Sequence, residues 1–346
     1  MRDFKKLFLL VFMLVAASRS GFAQDHMYSQ FFNSPVYLNP ALNGQFEGDL
    51  RMNFIYRNQW TGSPGNLTYY TASIDLKIPQ FGGGVGLMFT RASEGTAYLN
   101  TNNIAGIYSY SVGSDNFILS FGLQAGFTNR TVDWSKLVFS DQIDSRLGYI
   151  PGTPTSAETP LFNNKYYFDS GLGVNLVTGN LMVGTSLQHI NQPNESFTGA
   201  PVKVPVRYNA HVSYRLDLNP SDNMEESEKS FVIPSVVFYK QTVFQSVSVG
   251  AQYKHKNINF GLWYRNSGGI DGPNSVVLSL IFDLNINRDT GEKVRLGVDH
   301  DMSFSGINYS NTSGTTEGSL SYETTLPSRS GNSDKFDNSR QCYHFY

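Results

Sequence analysis

Segments of roughly ten residues alternate apolar and polar positions from about Leu50 to Leu326, and turn residues punctuate them. In 117–127 every odd position is apolar and most even positions are small or polar, and 208–216 follow the same rule. A period of two is the strand period, because successive side chains point to opposite faces. One face stays apolar and aromatic while the other carries Arg, His, Asn, Gln and Gly, which is typical of a transmembrane β-barrel.

The alternation predicts about fourteen strands in a single all-β, antiparallel transmembrane β-barrel that occupies residues 49–326. The predicted strands lie near residues 50–58, 68–78, 83–92, 99–112, 116–130, 166–177, 180–190, 206–218, 230–240, 243–254, 257–266, 274–284, 292–299 and 317–326.

The connections alternate between short and long through most of the chain. Short ones fall at 79–82, 113–115, 178–179 and around His255, and longer ones at 59–67, 93–98, 131–165, 191–205, 266–273 and 300–316. Outer-membrane barrels have short periplasmic turns and long outer loops. An even strand count then predicts that both termini are periplasmic. The acidic segment 219–228 is longer than this scheme expects on the periplasmic side.

The N-terminus reads as a signal peptide. A charged start with Lys5 and Lys6 precedes a short apolar run and the small-x-small site 21–23, so cleavage is expected after Ala23. The expected organisation is a signal peptide at 1–23, a periplasmic or lumenal segment at 24–48, the barrel, and a periplasmic tail at 327–346.

Composition narrows the classes of protein. The net charge is −2 and 16% of the residues are charged, so no nucleic-acid partner is expected. Beyond the N-terminus no apolar run approaches the ~18 residues of a spanning helix, which excludes a helical membrane protein. The mean hydropathy is −0.28, and on composition alone a soluble all-β sandwich or lectin-like protein stays open. The only cysteine, Cys342, allows no intramolecular disulfide.

Several blocks resemble the PorP/SprF family, which comprises outer-membrane proteins of the type IX secretion system of Bacteroidota. The matching blocks are 28–44, 56–60, 71–75, 132–144, 189–194 and the ending from Cys342 to Phe345. The resemblance spans nearly the whole mature chain. One departure is Tyr343, since the family ending usually has proline after the cysteine.

The resemblance implies a barrel that binds, helps export or anchors a large surface protein, such as an adhesin or a gliding filament, through that protein's C-terminal sorting domain. It also implies contacts with periplasmic or lipoprotein components of the secretion machine, as well as with outer-membrane lipid. A porin-like or solute transport channel is the alternative, since a barrel of about fourteen strands has room for a lumen. Its interior would include Arg51, Arg57, His211, Arg215 and Arg265.

Two sets of residues are candidates for a role. The structural set contains residues that favour turns, lie at the rim of the barrel or fall in the blocks that match the family. It comprises Tyr28, Gln30, Asn39, Pro40, Gly44, Arg57 and Gln59. The partner-binding set lies at the outer rim and in two long loops, and comprises Trp60, Trp134, Leu137, Phe139, Asp141, Gln142, Asp144, Pro193 and Asn194.

No catalytic constellation stands out, so we expect neither an enzyme nor a cofactor. The six histidines are scattered, and no sequence cue singles out a nucleophile with an oriented base. The triplet 299–301 could ligate a cation, but one such triplet is a weak signal. A barrel hydrolase is the least favoured hypothesis.

Overall fold

The computed structural model describes residues 25–63, 65, 67–96, 98–114, 116–157, 160–219, 229–268, 274–287, 291–304, 309–326 and 345. Within them, fourteen long strands close into one antiparallel barrel, as predicted. These strands are β1 Leu50–Gln59, β2 Leu67–Ile78, β3 Gly83–Glu94, β4 Leu99–Ser114, β5 Phe117–Thr131, β8 Asn164–Thr178, β9 Leu181–Gln188, β10 Arg207–Tyr214, β12 Ser230–Gln241, β13 Phe244–His255, β14 Ile258–Ser267, β15 Asn274–Asn287, β16 Glu292–Ser303 and β17 Thr315–Thr324.

Three short strands complete the set. β6 Ile143–Asp144 and β7 Gly148–Tyr149 form a small hairpin inside the longest loop, and β11 Leu216–Asp217 continues β10 along β12. Each long strand pairs with its neighbour in sequence among the long strands, and β1 pairs with β17 to close the ring. Because Leu50 lies opposite Thr324, the barrel begins and ends at the same rim.

The two faces of the barrel follow the alternation in the sequence. Arg51, Asn53 and Arg57 are buried toward the lumen, as is His211, whereas Phe121 and its apolar neighbours are exposed on the outer face. An outward apolar band around a polar interior is the arrangement of barrels whose outer surface meets lipid. None of the helices in the described residues is long and apolar enough to cross a membrane.

We call the rim at Leu50 and Thr324 the turn end, and the opposite rim, at Gln59 and Gln188, the loop end. The strands match their predicted bounds to within a few residues. The short–long rhythm has an exception at the loop end, where only Thr242 and Val243 connect β12 to β13. The predicted signal peptide, nearly all of 219–228 and the tail except Phe345 lie outside the described residues.

Short helices occur before the barrel and in its loops. Phe31–Asn33, the α-helix Pro35–Leu38 and Pro40–Leu42 precede β1, and Pro79–Phe81 lies in the first turn. Trp134–Lys136 and Ser140–Gln142 lie in the longest loop, and Tyr309–Thr312 precedes β17. The three helices before β1 are wholly buried, so residues 25–48 form a plug inside the lumen rather than a segment beside the barrel.

Candidate functional site

The plug, residues 25–48, runs the length of the lumen. Asp25 lies at the loop end, where its N–H donates to the side chain of Gln241 at 2.8 Å. Gly44 lies near the turn end, where its N–H donates to the Asp75 carboxylate at 3.0 Å. The chain therefore enters β1 only after crossing the barrel interior. The expected lumenal segment is present, while the periplasmic placement of both termini stays a prediction.

Glu317 of β17 holds the first part of the plug. Its carboxylate accepts the backbone N–H groups of Ser29 and Gln30 at 2.8–3.0 Å, and it forms an ion pair with Arg57. The guanidinium of Arg57 also donates to Gln59 at 3.1 Å. Buried backbone donors must find partners, and a carboxylate is a strong one. The plug and the wall therefore satisfy each other here.

The side chains of the structural set complete this pattern. Gln30 accepts from Ser319 at 2.6 Å, and the Tyr28 hydroxyl lies 2.8 Å from that of Thr71. Asn39 donates to the backbone carbonyl of Val174 at 3.0 Å and also accepts the N–H of Ala41, so it caps the short helix that starts at Pro40. All seven residues of the structural set lie on the plug or on the wall strand that faces it.

Arginines on the wall hold both ends of the plug. At the turn end, Arg51 forms a bidentate pair with Asp75 and donates to the carbonyl of Leu42 at 3.2 Å. At the loop end, Arg207 donates to the Tyr37 hydroxyl at 2.8 Å. Both arginines are buried, so these charges serve the plug rather than an open water channel.

Glycines on the inner face give the plug room. A Cβ on Gly122 of β5 would lie 2.2 Å from the backbone of Pro40 and Ala41, and one on Gly173 of β8 would lie 2.0 Å from Asn39 Oδ1. Gly84 and Gly86 of β3 face residues 43–44 in the same way. Real Cβ contacts are never this short, so side chains here would displace the plug.

At the loop end, His189 connects the start of the plug to the barrel wall. We call His189, together with Asp25 and Asp169, the latch. The Nε2 of His189 lies 2.7 Å from Asp25 and its Nδ1 lies 2.8 Å from Asp169, while its backbone has a φ of 57°. Burial alone would lower the pKa of His189, but the two carboxylates outweigh it and raise that pKa to about 10. The latch is therefore an imidazolium between two carboxylates at neutral pH.

The neighbours of His189 titrate differently. Burial would raise the pKa of Asp25, but the charges of His189 and Arg207 hold it below its usual range. Burial and the nearby Arg207 lower the pKa of His26 to about 3, so His26 is neutral.

The backbone of His189 is strained, because a left-handed backbone at a non-glycine residue costs about 1 kcal/mol or more. At His189 that cost coincides with a residue whose side chain joins the plug to the wall.

A small polar cavity of ≈ 100 Å³ adjoins this latch at the loop end. Its lining includes Asp25, Glu94, Arg130, His189 and Glu195. Arg130 and Glu195 form a 2.6 Å ion pair, and the Tyr69 hydroxyl donates to Glu94 at 3.2 Å. Among the described residues, no group of three or more His, Cys, Asp or Glu side chains is arranged to hold a metal ion.

The longest loop, residues 132–163, is closed by its own polar side chains. Asp141 accepts from the N–H and hydroxyl of Ser156 at 2.6 and 2.9 Å and from the hydroxyl of Thr155 at 3.0 Å. Gln142 donates to the carbonyl of Thr153, and Asp144 accepts two backbone N–H groups at the tip of the β6–β7 hairpin. These three members of the partner-binding set therefore shape the loop.

Three apolar members of that set, Trp134, Leu137 and Phe139, are half-buried within the same loop. The ring of Trp134 lies 5.2 Å from that of Phe139, and Leu137 caps the C-terminal end of the short helix Trp134–Lys136. Trp60 lies elsewhere on the loop-end rim, where its N–H donates to the carbonyl of Gly314 at 2.9 Å and its φ is 59°. No contact between Trp60 and the long loop is seen in the part of the chain that the structure describes.

The second long loop, residues 189–206, lies against the first. Asn194 accepts the N–H groups of Ser196 and Val202, and Pro193 is buried, so both organise their own loop. The N–H of Phe162 donates to the carbonyl of Phe197 at 3.3 Å, which joins the two loops. The two loops thus form one surface, which we call the loop platform (132–163 and 189–206).

The most exposed apolar side chains of the loop platform are ones that sequence reasoning missed. Leu147 is 78% exposed and Leu161 is 71% exposed. Val138, Ile143, Tyr149, Ile150 and Phe162 are also exposed. In the sequence, the run of apolar residues in an otherwise polar loop is the signal by which these side chains could be found. Asp25, Arg207 and Glu317 were missed as well, because nothing local marks them as partners of the plug.

A closed, even-stranded antiparallel barrel with an apolar outer band and a polar lumen filled by the chain's own N-terminal segment defines a plugged outer-membrane β-barrel. Residues 20–322 match the family described as type IX secretion system membrane protein PorP/SprF. The chain belongs to that family, as its sequence blocks predicted, and membership implies involvement with the type IX secretion machinery.

The solved structures to which this chain is similar share little sequence with it. The outer membrane protein Omp33 of Acinetobacter baumannii has 6% identity and a TM-score of 0.43, with 82% of this chain and 100% of that chain covered. The CymD monoaromatic hydrocarbon channel has 12% identity and a TM-score of 0.49, with 85% and 93% covered. A FadL homologue of Pseudomonas aeruginosa has 12% identity and a TM-score of 0.44, with 88% and 98% covered. No curated protein matches this chain.

Proposed function

We propose that this barrel is a non-enzymatic holder that anchors, or helps to export, a large surface protein of the type IX secretion system at its loop platform. The observation that carries the proposal is the loop platform itself. Polar side chains such as Asp141 and Asn194 bond within the loops, while apolar side chains such as Leu147 and Leu161 are exposed to solvent. Groups of exposed apolar side chains are typical of sites that bind another protein or a membrane.

The filled lumen supports the role of a holder for a surface protein rather than that of a solute channel. The plug is bonded to the wall at the loop end through Gln241, near that end through Glu317, and at the turn end through Asp75. A solute passing along the lumen would have to displace buried and mutually satisfied polar groups. Each such group left without a partner costs about 1–3 kcal/mol. The barrel wall therefore serves as a rigid frame for the loops.

Family membership and this surface together support one kind of partner. We expect a large adhesin or gliding filament, bound through its C-terminal sorting domain, with the loop end facing outward. Periplasmic or lipoprotein components of the secretion machine would meet the turn end, and lipid would meet the outer apolar band. The loops supply shape through Asp141, Gln142 and Asp144 and contact area through the exposed apolar residues.

The test introduces charge into the apolar surface. In a Leu147→Asp/Leu161→Asp variant we expect the surface protein to be lost from barrels purified out of solubilised outer membranes, with the barrel itself still folded. The matched control is Val243→Asp, because Val243 is 79% exposed at the same rim but lies in the β12–β13 connection, outside the loop platform. The control should retain the partner.

Two results would contradict the proposal. Equal retention of the surface protein in the variant, the control and the unchanged barrel would remove the loop platform as its binding site. Steady single-channel conductance of the unchanged barrel in planar bilayers, together with normal surface proteins in a deletion strain, would favour the solute channel instead.

A further inference from the structure

The rim of the barrel has a step at the loop end, between β8 and β9. β5 and β8 end level with each other, since Thr131 pairs with Asn164. β9 ends at Gln188, which pairs with Gly171 of β8. Residues 164–170 of β8 therefore extend about 20 Å along the strand beyond the end of β9. Over this length β8 pairs with β5 on one side, and in the described residues no strand pairs with it on the other.

The main-chain groups in this part of β8 point alternately toward β5 and away from it. The N–H of Val132 donates to the carbonyl of Asn163, and in an antiparallel ladder such hydrogen-bonded pairs recur at every second residue. The groups that point toward β5 belong to Lys165, Tyr167 and Asp169. The groups that point away belong to Asn164, Tyr166, Phe168 and Ser170.

Asn191 covers the part of this outward row that lies nearest to β9. Its side chain accepts the N–H of Ser170 at 3.1 Å and donates to the carbonyl of Phe168 at 2.7 Å. In the part of the chain that the structure describes, no partner is found for the N–H of Phe168 or for the outward main-chain groups of Asn164 and Tyr166. Buried main-chain groups are almost always paired, so these groups face water.

We call residues 164–168 of β8 the open edge. A row of unpaired N–H and C=O groups at the edge of a sheet is a template for another extended chain. The outer face of the open edge carries Tyr166 and Phe168, which are 68% and 46% exposed. Its inner face carries Lys165, whose ammonium group pairs with no carboxylate among the described residues. The occupant that fits is therefore an extended segment with apolar side chains on one face and an acidic side chain on the other.

We propose that the open edge binds the exported surface protein by strand addition, in which an extended segment of that protein pairs with β8. This rests on the proposed function, because it names how the partner of the loop platform is held. The open edge adjoins the loop platform, since β8 begins where the loop 132–163 ends and Asn191 belongs to the loop 189–206. Main-chain hydrogen bonds supply the binding, and the alternate side chains of the segment supply the selectivity.

Hydrogen exchange at single-residue resolution tests the proposal on the unchanged chain. In the purified barrel alone, the amides of Tyr166 and Phe168 should exchange at least about 10-fold faster than those of Lys165 and Tyr167, which bond to β5. In the barrel purified together with its surface protein, the two fast amides should slow by about 10-fold or more, and the other two should stay unchanged.

Two results of the exchange measurement would overturn the proposal. Slow exchange at Tyr166 and Phe168 in the barrel alone would mean that the edge is already filled, by this chain or by a second copy of it. Equally fast exchange at both residues with and without the surface protein would mean that the partner does not pair with β8.

Two substitutions at Tyr166 separate the main chain from the side chain. Tyr166→Pro removes an N–H that points away from β5, and proline is tolerated at such edge positions. Tyr166→Thr removes the same ring but keeps the N–H. Several-fold less surface protein should copurify from solubilised outer membranes with the proline variant than with the threonine variant, while heat-modified migration shows both barrels folded. Equal amounts in the two variants would overturn strand addition.

The Leu147→Asp/Leu161→Asp variant distinguishes failure of this proposal from failure of the proposed function. If it loses the surface protein while the two Tyr166 variants retain equal amounts, the loop platform stands and the open edge fails. If all three variants retain as much surface protein as the unchanged barrel, the proposed function fails as well. Should Tyr166→Pro not fold into the membrane, the exchange comparison on the unchanged chain decides alone.

Discussion

The plug and the longest loop both carry blocks that match the family. The polar side chains of the plug bond to the barrel wall, whereas those of the loop bond within the loop itself. In the plug, Gln30 bonds to Ser319 and its N–H to Glu317, nearly 290 positions away in the chain. In the loop, Asp141 bonds to Thr155 and Ser156, 14 and 15 positions away. The plug is thus part of the barrel, whereas the loop is a separate unit mounted on it.

This difference between the plug and the loop predicts how far the effect of a substitution extends through the molecule. Changes in the plug or in the wall that faces it should destabilise the whole barrel, because buried polar groups lose partners they cannot replace with water. Substitutions of the polar side chains that close the loop should loosen the loop alone, because water can replace the lost hydrogen-bond partners. Four substitutions test this contrast, from the largest expected effect to the smallest.

The largest effect is expected from Gly122→Val. Its Cβ would lie 2.2 Å from the plug backbone at Pro40 and Ala41, which cannot move aside as a flexible side chain could. We expect the free energy of unfolding to fall by more than about 3 kcal/mol, or the plug to leave the lumen. Heat-modified migration on gels reports the first outcome, and protease cleavage within residues 25–48 reports the second.

Gly318→Val is the control for that substitution. A Cβ on Gly318, also within a barrel strand, would meet nothing within 4 Å, so the same side chain should be tolerated there. If Gly122→Val and Gly318→Val gave equally stable barrels with a protected N-terminal segment, the plug would not occupy the lumen as described.

The strands could be predicted from sequence, but the plug contacts could not. The period-two pattern placed Arg51, Arg57 and His211 on the lumen face correctly, because burial on one side of a strand leaves a local signature. Residues 25–48 have no such signature, since nearly all of them are buried inside the lumen against polar and apolar wall residues alike. The pattern places Gly84 and Gly86 in a strand, but their contact with residues 43–44 joins segments that lie apart in sequence.

The partner-binding set shows the same limit. Loop length and composition identified residues 131–165 as the region of interest, but which side chains point inward depends on how the loop closes. Asp141, Gln142 and Asp144 became fasteners because backbone N–H groups of the same loop needed acceptors. Leu147 and Leu161 were left in solvent.

The second prediction is Glu317→Gln. The amide keeps an acceptor for the N–H groups of Ser29 and Gln30 but removes the counter-charge of the buried Arg57. Breaking a buried pair from one side is costly, and we expect a loss of about 3 kcal/mol in the free energy of unfolding. Glu292→Gln is the control, because its bond from the Tyr322 hydroxyl survives the change. Equal midpoints in urea for both variants would exclude a structural role for the Glu317 charge.

The third prediction concerns pH and the His189 latch. Because its folded pKa is raised to about 10, from an ordinary value near 6.5, the latch contributes fully below about pH 6.5 and weakens as pH rises through about 10. The lowered pKa of Asp25 acts in the opposite direction, so its contribution is lost only in acid, below its usual range. Arg207, Tyr37 and the neutral His26 lie around the latch and, together with its Asp169, set its charge balance.

Hydrogen exchange of residues 25–30 measures that prediction. We expect exchange, corrected for its intrinsic pH dependence, to accelerate between pH 6.5 and 10 in the unchanged barrel. His189→Gln should exchange faster at pH 6 and show little further change. His255→Gln is the control, since His255 lies at the turn end and bonds to Ser230 rather than to the plug. A pH response that survives in His189→Gln would assign it to another group.

The smallest effect is expected from Asp141→Ala. The variant loses the bonds from Thr155 and Ser156, which are exposed, so the loss of stability should be small and confined to the loop. The midpoint of barrel unfolding should stay unchanged, while protease should cut residues 132–163 several-fold faster. Arg146→Ala is the control, because the N–H of Arg146 that binds Asp144 is retained. If Asp141→Ala lowered the barrel midpoint as Glu317→Gln does, loop and barrel would form one cooperative unit, and the contrast with the plug would fail.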